Sequence, residues 1–199
     1  MATPAPIAPG DRPRLLIVIA STRPGRAGLP IAEWFRAQAE AHGGFAIAVA
    51  DLAELKLPLM DEPNHPRLRQ YTNRHTHEWS AQVDAADAFV FVMPEYNYAM
   101  TAPLKNAIDY LFQEWAYKPV GLVSYGGISG GIRAAQMVKQ VVTTLKMVPL
   151  TEAVAIPFFT QHFDAERRMQ GNESLNNSAT AMLDELVRWA VALRPMRVG

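Results

Sequence analysis

The sequence contains no cysteine. Disulfides, a thiol nucleophile and any cysteine-built metal site are thereby excluded. It also has no net charge, because Lys+Arg and Asp+Glu both number 19. Nucleic-acid binding, which draws on a basic stripe, is not expected. Nor is the acidic surface of an electron carrier that docks on basic partners. No stretch approaches the roughly 20 apolar residues that cross a bilayer, so no membrane partner is expected. The opening MATPAPIAPGDRPR has no apolar run of the signal-peptide kind. A cytoplasmic location is the expectation. Two glycine signatures are missing as well. No G-x-G-x-x-G follows the first apolar run, and no G-x-x-x-x-G-K-[ST] occurs anywhere. Their absence argues against a dinucleotide fold of the usual kind and against a P-loop NTPase.

The chain has 199 residues, 49% of them hydrophobic and 19% charged. That composition fits a globular domain with a sizeable core. Residues 1–13 carry four prolines and little periodicity. They read as a flexible leader to one domain over 14–199. Five short apolar runs suggest strands at 14–20, 45–51, 88–93, 119–124 and 153–156. Several are apolar throughout, as in parallel strands covered on both faces. Helical patterns lie between and after them, at 29–42, 76–86, from about 101, 132–146 and 174–193. The stripe of the fourth helix includes Met137 and that of the last includes Trp189. The segment 52–75 is long, irregular and broken by proline, which marks a functional loop or a partner surface.

Strands alternating with helices predict an α/β three-layer sandwich on a five-stranded parallel sheet. The flavodoxin-like order 2-1-3-4-5 fits the length and the number of units. In such sheets ligands bind beyond the carboxyl ends of the strands, at the point where the strand order reverses. Three loops meet there: STRPGR (21–26), PEYNYAM (94–100) and SYGGISGG (124–131). The first offers hydroxyls, arginines and a helix N-terminus, a combination that collects phosphate. The other two offer backbone groups and aromatic edges. Singly, each loop also reads as an ordinary cap, turn or connection. Jointly they suit a flat hydrogen-bonding heterocycle with a phosphate tail, and FMN is such a ligand.

Other residues carry weaker signals. His65, His75 and His77 cluster in sequence without a clear third ligand, so no metal site is expected. Asp84 and Asp87 read as solvated, and Lys105–Asp109 as an i,i+4 surface pair. Trp115 and Tyr117 fall near the expected mouth of the site, as core, as dimer surface or as a stacking platform for substrate. Ser21 lacks evident His–Asp partners for a hydrolase.

With STRPGR, PEYNYAMTAPLKNAIDYL (94–111) and SYGG (124–127) in this order, the chain resembles the NADPH-dependent FMN reductase family. This flavodoxin-like group includes chromate, quinone and azo-dye reductases. The resemblance covers roughly residues 14 to 160, and its middle block is the most specific. Ala20 departs from the glycine usual before the serine. The resemblance implies that Ser21, Thr22, Arg23 and Arg26 hold the FMN phosphate. Pro94, Glu95, Tyr96 and Asn97 would line the ring and ribityl chain, and Ser124, Tyr125, Gly126 and Gly127 would hold the ring from the other side.

The activity implied is an NAD(P)H oxidoreductase. Hydride passes from NADPH or NADH to N5 of FMN, and two electrons go on to a quinone, azo compound, metal oxyanion or free flavin. No side-chain acid or base is required, so no catalytic residue is assigned. The resemblance also implies a homodimer or homotetramer; segment 52–75 with the end of the third helix is a candidate contact. The alternative is a flavodoxin-type electron carrier or an FMN-binding sensor without turnover of its own. A flavin-free interaction protein on the same fold is a third reading.

Overall fold

The structure is a computed structural model that describes residues 12–197. The expected leader therefore lies outside the described residues except for Arg12 and Pro13. Pro13 is buried, and its carbonyl accepts the N–H of Ala46.

Five parallel strands form one sheet: β1 (Arg14–Ile19), β2 (Ala46–Asp51), β3 (Ala88–Pro94), β4 (Pro119–Tyr125) and β5 (Val148–Ile156). Their order is β2-β1-β3-β4-β5, as expected from the sequence. Helices cover both faces: α1 (Gly28–His42), the single turn α2 (Leu52–Leu55), α3 (Arg74–Asp84), α4 (Ala102–Asp109), α5 (Ile132–Thr143) and α6 (Glu173–Leu193).

The pleat of β1 shows how the sequence builds the layers. Leu15, Ile17 and Ile19 join the apolar cluster that contains residues of α1 and α6. Leu16 and Val18 join the cluster on the other face, with residues of α3, α4 and α5. All five are at most 2% exposed, which explains why the run shows no polar alternation. Each such aliphatic side chain contributes about 1.5–3 kcal/mol by leaving water.

Several local expectations change. β5 starts at Val148, five residues before the expected 153, because it lies at the sheet edge, where Pro149 is tolerated. The ladder shifts register between Val120 and Leu122, next to the Val120–Pro149 pair. Met137 and Trp189, expected inside, are 40% and 39% exposed. Segment 52–75 is not merely irregular. It holds α2 and a 3₁₀ turn at Pro66–Leu68, and it is tied to α4. The side-chain N–H of Asn106 donates to the Pro58 carbonyl at 2.7 Å, and its oxygen accepts the Met60 N–H. The Tyr110 hydroxyl reaches Pro58 O and the Asp61 carboxylate at 3.0 and 2.9 Å.

Candidate functional site

The three loops singled out in the sequence leave adjacent strands at their carboxyl ends. Ile19 pairs with Val92, and Pro94 with Tyr125. Just past β1, the Ala20 N–H donates to the Val92 carbonyl at 2.9 Å. β1 lies between β2 and β3, so the order reverses at this point.

The first loop ends on α1, whose N-terminus has no side-chain cap and no acid in its first turn. Its leading N–H groups and positive dipole end are thus free to attract an anion. Ser21 is fully buried beside it, and its Oγ has no partner among the described residues. A Cβ on Gly28 would strike Ser21 Oγ and come within 2.8 Å of the Tyr125 hydroxyl. Glycine at 28 is what lets the loop, the helix and β4 close up here. Thr22 and Arg23 are exposed on the loop.

Arg26 is already engaged by protein groups. Both of its terminal nitrogens donate to Asp51, at 2.5 Å each, and Nη1 also donates to the Ser21 carbonyl at 2.6 Å. The two side chains are only 12% and 14% exposed. Hydrogen bonding to Asp51 raises the Arg26 pKa still further. Arg26 is therefore a brace across the loop, from β1 to the end of β2, rather than a free cation. On the other side of the loop, the guanidinium of Arg167 donates to the Gly25 carbonyl at 3.1 Å. From α4, the Thr101 hydroxyl donates to the Ala20 carbonyl at 2.8 Å and accepts the Leu104 N–H, capping the helix.

The second loop is a miniature hairpin. Tyr96 and Ala99 exchange backbone hydrogen bonds at 3.0 and 2.9 Å. Asn97 and Tyr98 between them have φ of 50° and 68°, the pattern of a type I′ turn. Tyr96 and Tyr98 are 40% and 65% exposed. Glu95 turns its carboxylate away to Arg133, which meets it at 2.6 Å and supplies a backbone N–H at 3.1 Å. Arg133 also lies 3.9 Å from the Tyr98 ring centroid. Burial opposes ionisation of Glu95, but Arg133 and Ser129 outweigh it and hold the carboxyl below its ordinary value. Pro94 is buried at the end of β3.

The third loop has a framed part and an open part. The Ser124 hydroxyl is buried and donates to the Gly130 carbonyl at 2.8 Å. Tyr125 is buried edge-on against Phe159, and burial pushes its phenol well above the usual range. Gly126 N–H donates to the Ile156 carbonyl, while Gly127 is exposed with nothing near a Cβ position.

Thus Thr22, Arg23, Tyr96, Asn97 and Gly127 face outward, and Ser21, Arg26, Pro94, Ser124 and Tyr125 form the frame. Asp51, Thr101 and Arg167 are frame residues that the sequence reading did not place. Asp51 was legible in principle, since it ends the strand next to β1. Among the residues with weaker signals, His75 binds Asp61 at 2.9 Å. Asp84 pairs with Arg69 and Asp87 with Arg197, so neither is merely solvated. Lys105 and Asp109 pair as expected. Trp115 is core, 1% exposed and packed on Phe89. Tyr117 lies just before β4 starts, at the opposite pole of the sheet from the loops, not at their mouth.

The fold, with its three loops gathered at the switch point of the sheet, defines a flavodoxin-like protein. Comparison narrows the class, because residues 13–161 match the NADPH-dependent FMN reductase family. An NAD(P)H-dependent FMN reductase of Schizosaccharomyces pombe is 39% identical over 149 residues, 73% of this chain and 74% of its own. An NAD(P)H:quinone oxidoreductase of Solanum tuberosum is 44% identical over 63 residues, 30% of this chain and 32% of its own. The solved flavoenzyme NAD(P)H:(acceptor) oxidoreductase FerB of Paracoccus denitrificans shares the fold. Its TM-score is 0.72 at 19% identity, over 90% of this chain and 98% of the other. The chain belongs to the NADPH-dependent FMN reductase family, a family of oxidoreductases that work with FMN and NAD(P)H. No helix among the described residues is long and apolar enough to cross a membrane.

Proposed function

We propose that this single flavodoxin-like domain (14–199) binds FMN across the three loops and passes reducing equivalents from NAD(P)H to a small-molecule acceptor. One observation carries the reading: an uncapped helix N-terminus beside the buried hydroxyl of Ser21, which has no hydrogen-bond partner among the described residues. Both need an acceptor, and a phosphate supplies it. Thr22 and Arg23 complete the phosphate side. Tyr96, Asn97, Gly126 and Gly127 border the ring, with Gly127 leaving room for close approach. Ser21, Arg26, Pro94, Glu95, Ser124 and Tyr125 fix the loops in place.

Bound FMN supplies the hydride and electron-transfer chemistry. The chain's own residues bind and orient. The α1 dipole and Arg23 compensate phosphate charge. The hairpin 96–99 sets an aromatic rim, braced from behind by Glu95–Arg133. No side-chain proton donor is assigned.

Acceptors of the quinone, azo, metal-oxyanion or free-flavin classes all suit such a site, and the quinone class is favoured by the name of the Solanum relative. We also propose association into a homodimer or homotetramer through segment 52–75, where Leu59 and Leu68 are 82% and 58% exposed. A cytoplasmic setting goes with this reading, where NAD(P)H is supplied.

The test is FMN affinity in Arg23→Glu, together with quinone-dependent NADPH oxidation. The reading predicts at least about a tenfold weaker FMN complex, from charge reversal against phosphate. Unchanged affinity would remove the phosphate assignment.

A further inference from the structure

A second cleft, of about 840 Å³, opens at the other pole of the sheet. It is bounded by the residues just before β3 and β4, the turns at 66–68 and 113–115, the end of α5 and the stretch Arg194–Arg197. Six cationic side chains line it (Arg67, Arg69, Lys118, Lys146, Arg194 and Arg197) against three carboxylates. In a chain with equal numbers of acids and bases, this is a local concentration of positive charge.

The three carboxylates are already engaged. Asp84 accepts from Arg69, and Asp87 from Arg197 and from the Arg14 N–H. Glu114 takes the hydroxyls of Tyr71 and Ser80 and lies 3.3 Å from Arg69. Arg67, Lys146 and Arg194 have no carboxylate partner among the described residues. The first two are held against aromatic rings instead, Arg67 at 4.4 Å from Phe112 and Lys146 at 5.3 Å from Tyr117.

Two buried donors also remain incomplete. Lys118, 4% exposed, gives two of its three N–H groups to the carbonyls of Val83 and Asp84. Burial pushes its pKa down to about 8, so an anion beside it would favour the charged form. Arg197 Nε is buried with no partner among the described residues. Unpaired buried donors are rare and costly, and both residues line the cleft.

We propose that this cleft binds a small anion carrying a diphosphate group, free or esterified, at the pole remote from the flavin loops. Arginine suits phosphate through paired N–H donors, and three uncompensated cations on three different elements suit more than one phosphate.

The test is calorimetric titration of pyrophosphate, and separately of ATP, into FMN-saturated protein, so that the β1 loop offers no competing site. Saturable binding is expected for both if the diphosphate itself is read, and for ATP alone if the ester is required. The affinity should fall as salt rises. Lys146→Glu/Arg194→Glu should weaken it at least about tenfold by reversing two uncompensated charges. Both side chains are exposed, and Arg194→Ala serves as a milder second variant. FMN retention and NADPH oxidation stay unchanged in these variants. The proposal is overturned by absence of saturable binding, by binding that neither variant alters, or by sulfate at equal ionic strength binding equally well. None of these outcomes bears on the flavin assignment.

Discussion

The guanidinium of Arg26 and the carboxylate of Asp51 form a two-toothed ion pair that ties the loop after β1 to the end of β2. Each residue is mostly shielded from water, so removing one leaves the other as a buried, uncompensated charge. Asp51→Ala and Arg26→Ala are each expected to cost about 2–4 kcal/mol in chemical unfolding, toward the lower end of the cost of breaking buried pairs. Both should also weaken FMN binding, through a loosened loop. If Arg26 instead ligated the phosphate, Asp51→Ala would free it and tighten binding. Opposite signs in the two variants would therefore refute the brace.

Thr101 joins two elements with one hydroxyl, donating to Ala20 O and capping α4. Thr101→Val loses both bonds and leaves the Ala20 carbonyl unpaired. A stability loss of about 1–2 kcal/mol is expected, the sum of a cap and a buried hydrogen bond. Thr101→Ser keeps the hydroxyl and should restore most of it.

Sequence legibility followed the range of each interaction. The sheet order and the three loops could be read because apolar runs and strand-end polarity are local signals. The ion pair of Arg26 was legible only through the strand order: Asp51 ends the strand next to β1, but it lies 25 residues away and no local pattern marks the pair. The start of β5 was hidden for a related reason. Pro149, Thr151 and Glu152 break the apolar pattern, and only the edge position makes them acceptable in a strand. Tyr117 was misplaced although the topology fixes it: between two parallel strands the crossover returns the chain to the far pole, so a residue just before β4 cannot lie at the loop end of the sheet.

Gly28 is held to glycine by contact. An added methyl meets Ser21 Oγ and the Tyr125 hydroxyl. Gly28→Ala should destabilise by about 1–3 kcal/mol, as overpacking does, and should displace the head of α1. A wild-type melting curve together with wild-type FMN affinity would contradict this close approach.

Glu95 gives a pH-dependent prediction. Its folded pKa lies below the ordinary 4.5 because Arg133 and Ser129 outweigh the burial that opposes ionisation. Its contribution to stability is therefore present above about pH 4.5 and fades as pH falls toward the depressed value. Arg133→Ala removes the main partner and leaves burial dominant, so the pKa should rise. The variant's deficit should then be largest near neutral pH and should shrink on acidification to about pH 4. Urea midpoints across that range test the sign, and a deficit independent of pH would exclude the ion pair as its source.

The central claim is that the three loops hold a working flavin. The most direct measurement is the visible absorption spectrum of the FMN-reconstituted protein without oxygen, before and after adding NADPH. Flavin that stays bound through desalting and bleaches directly to its two-electron reduced form is the predicted result. Flavin that stays bound but is left oxidised by both NADPH and NADH would point to a carrier or sensor, and protein that retains no flavin would contradict the site itself.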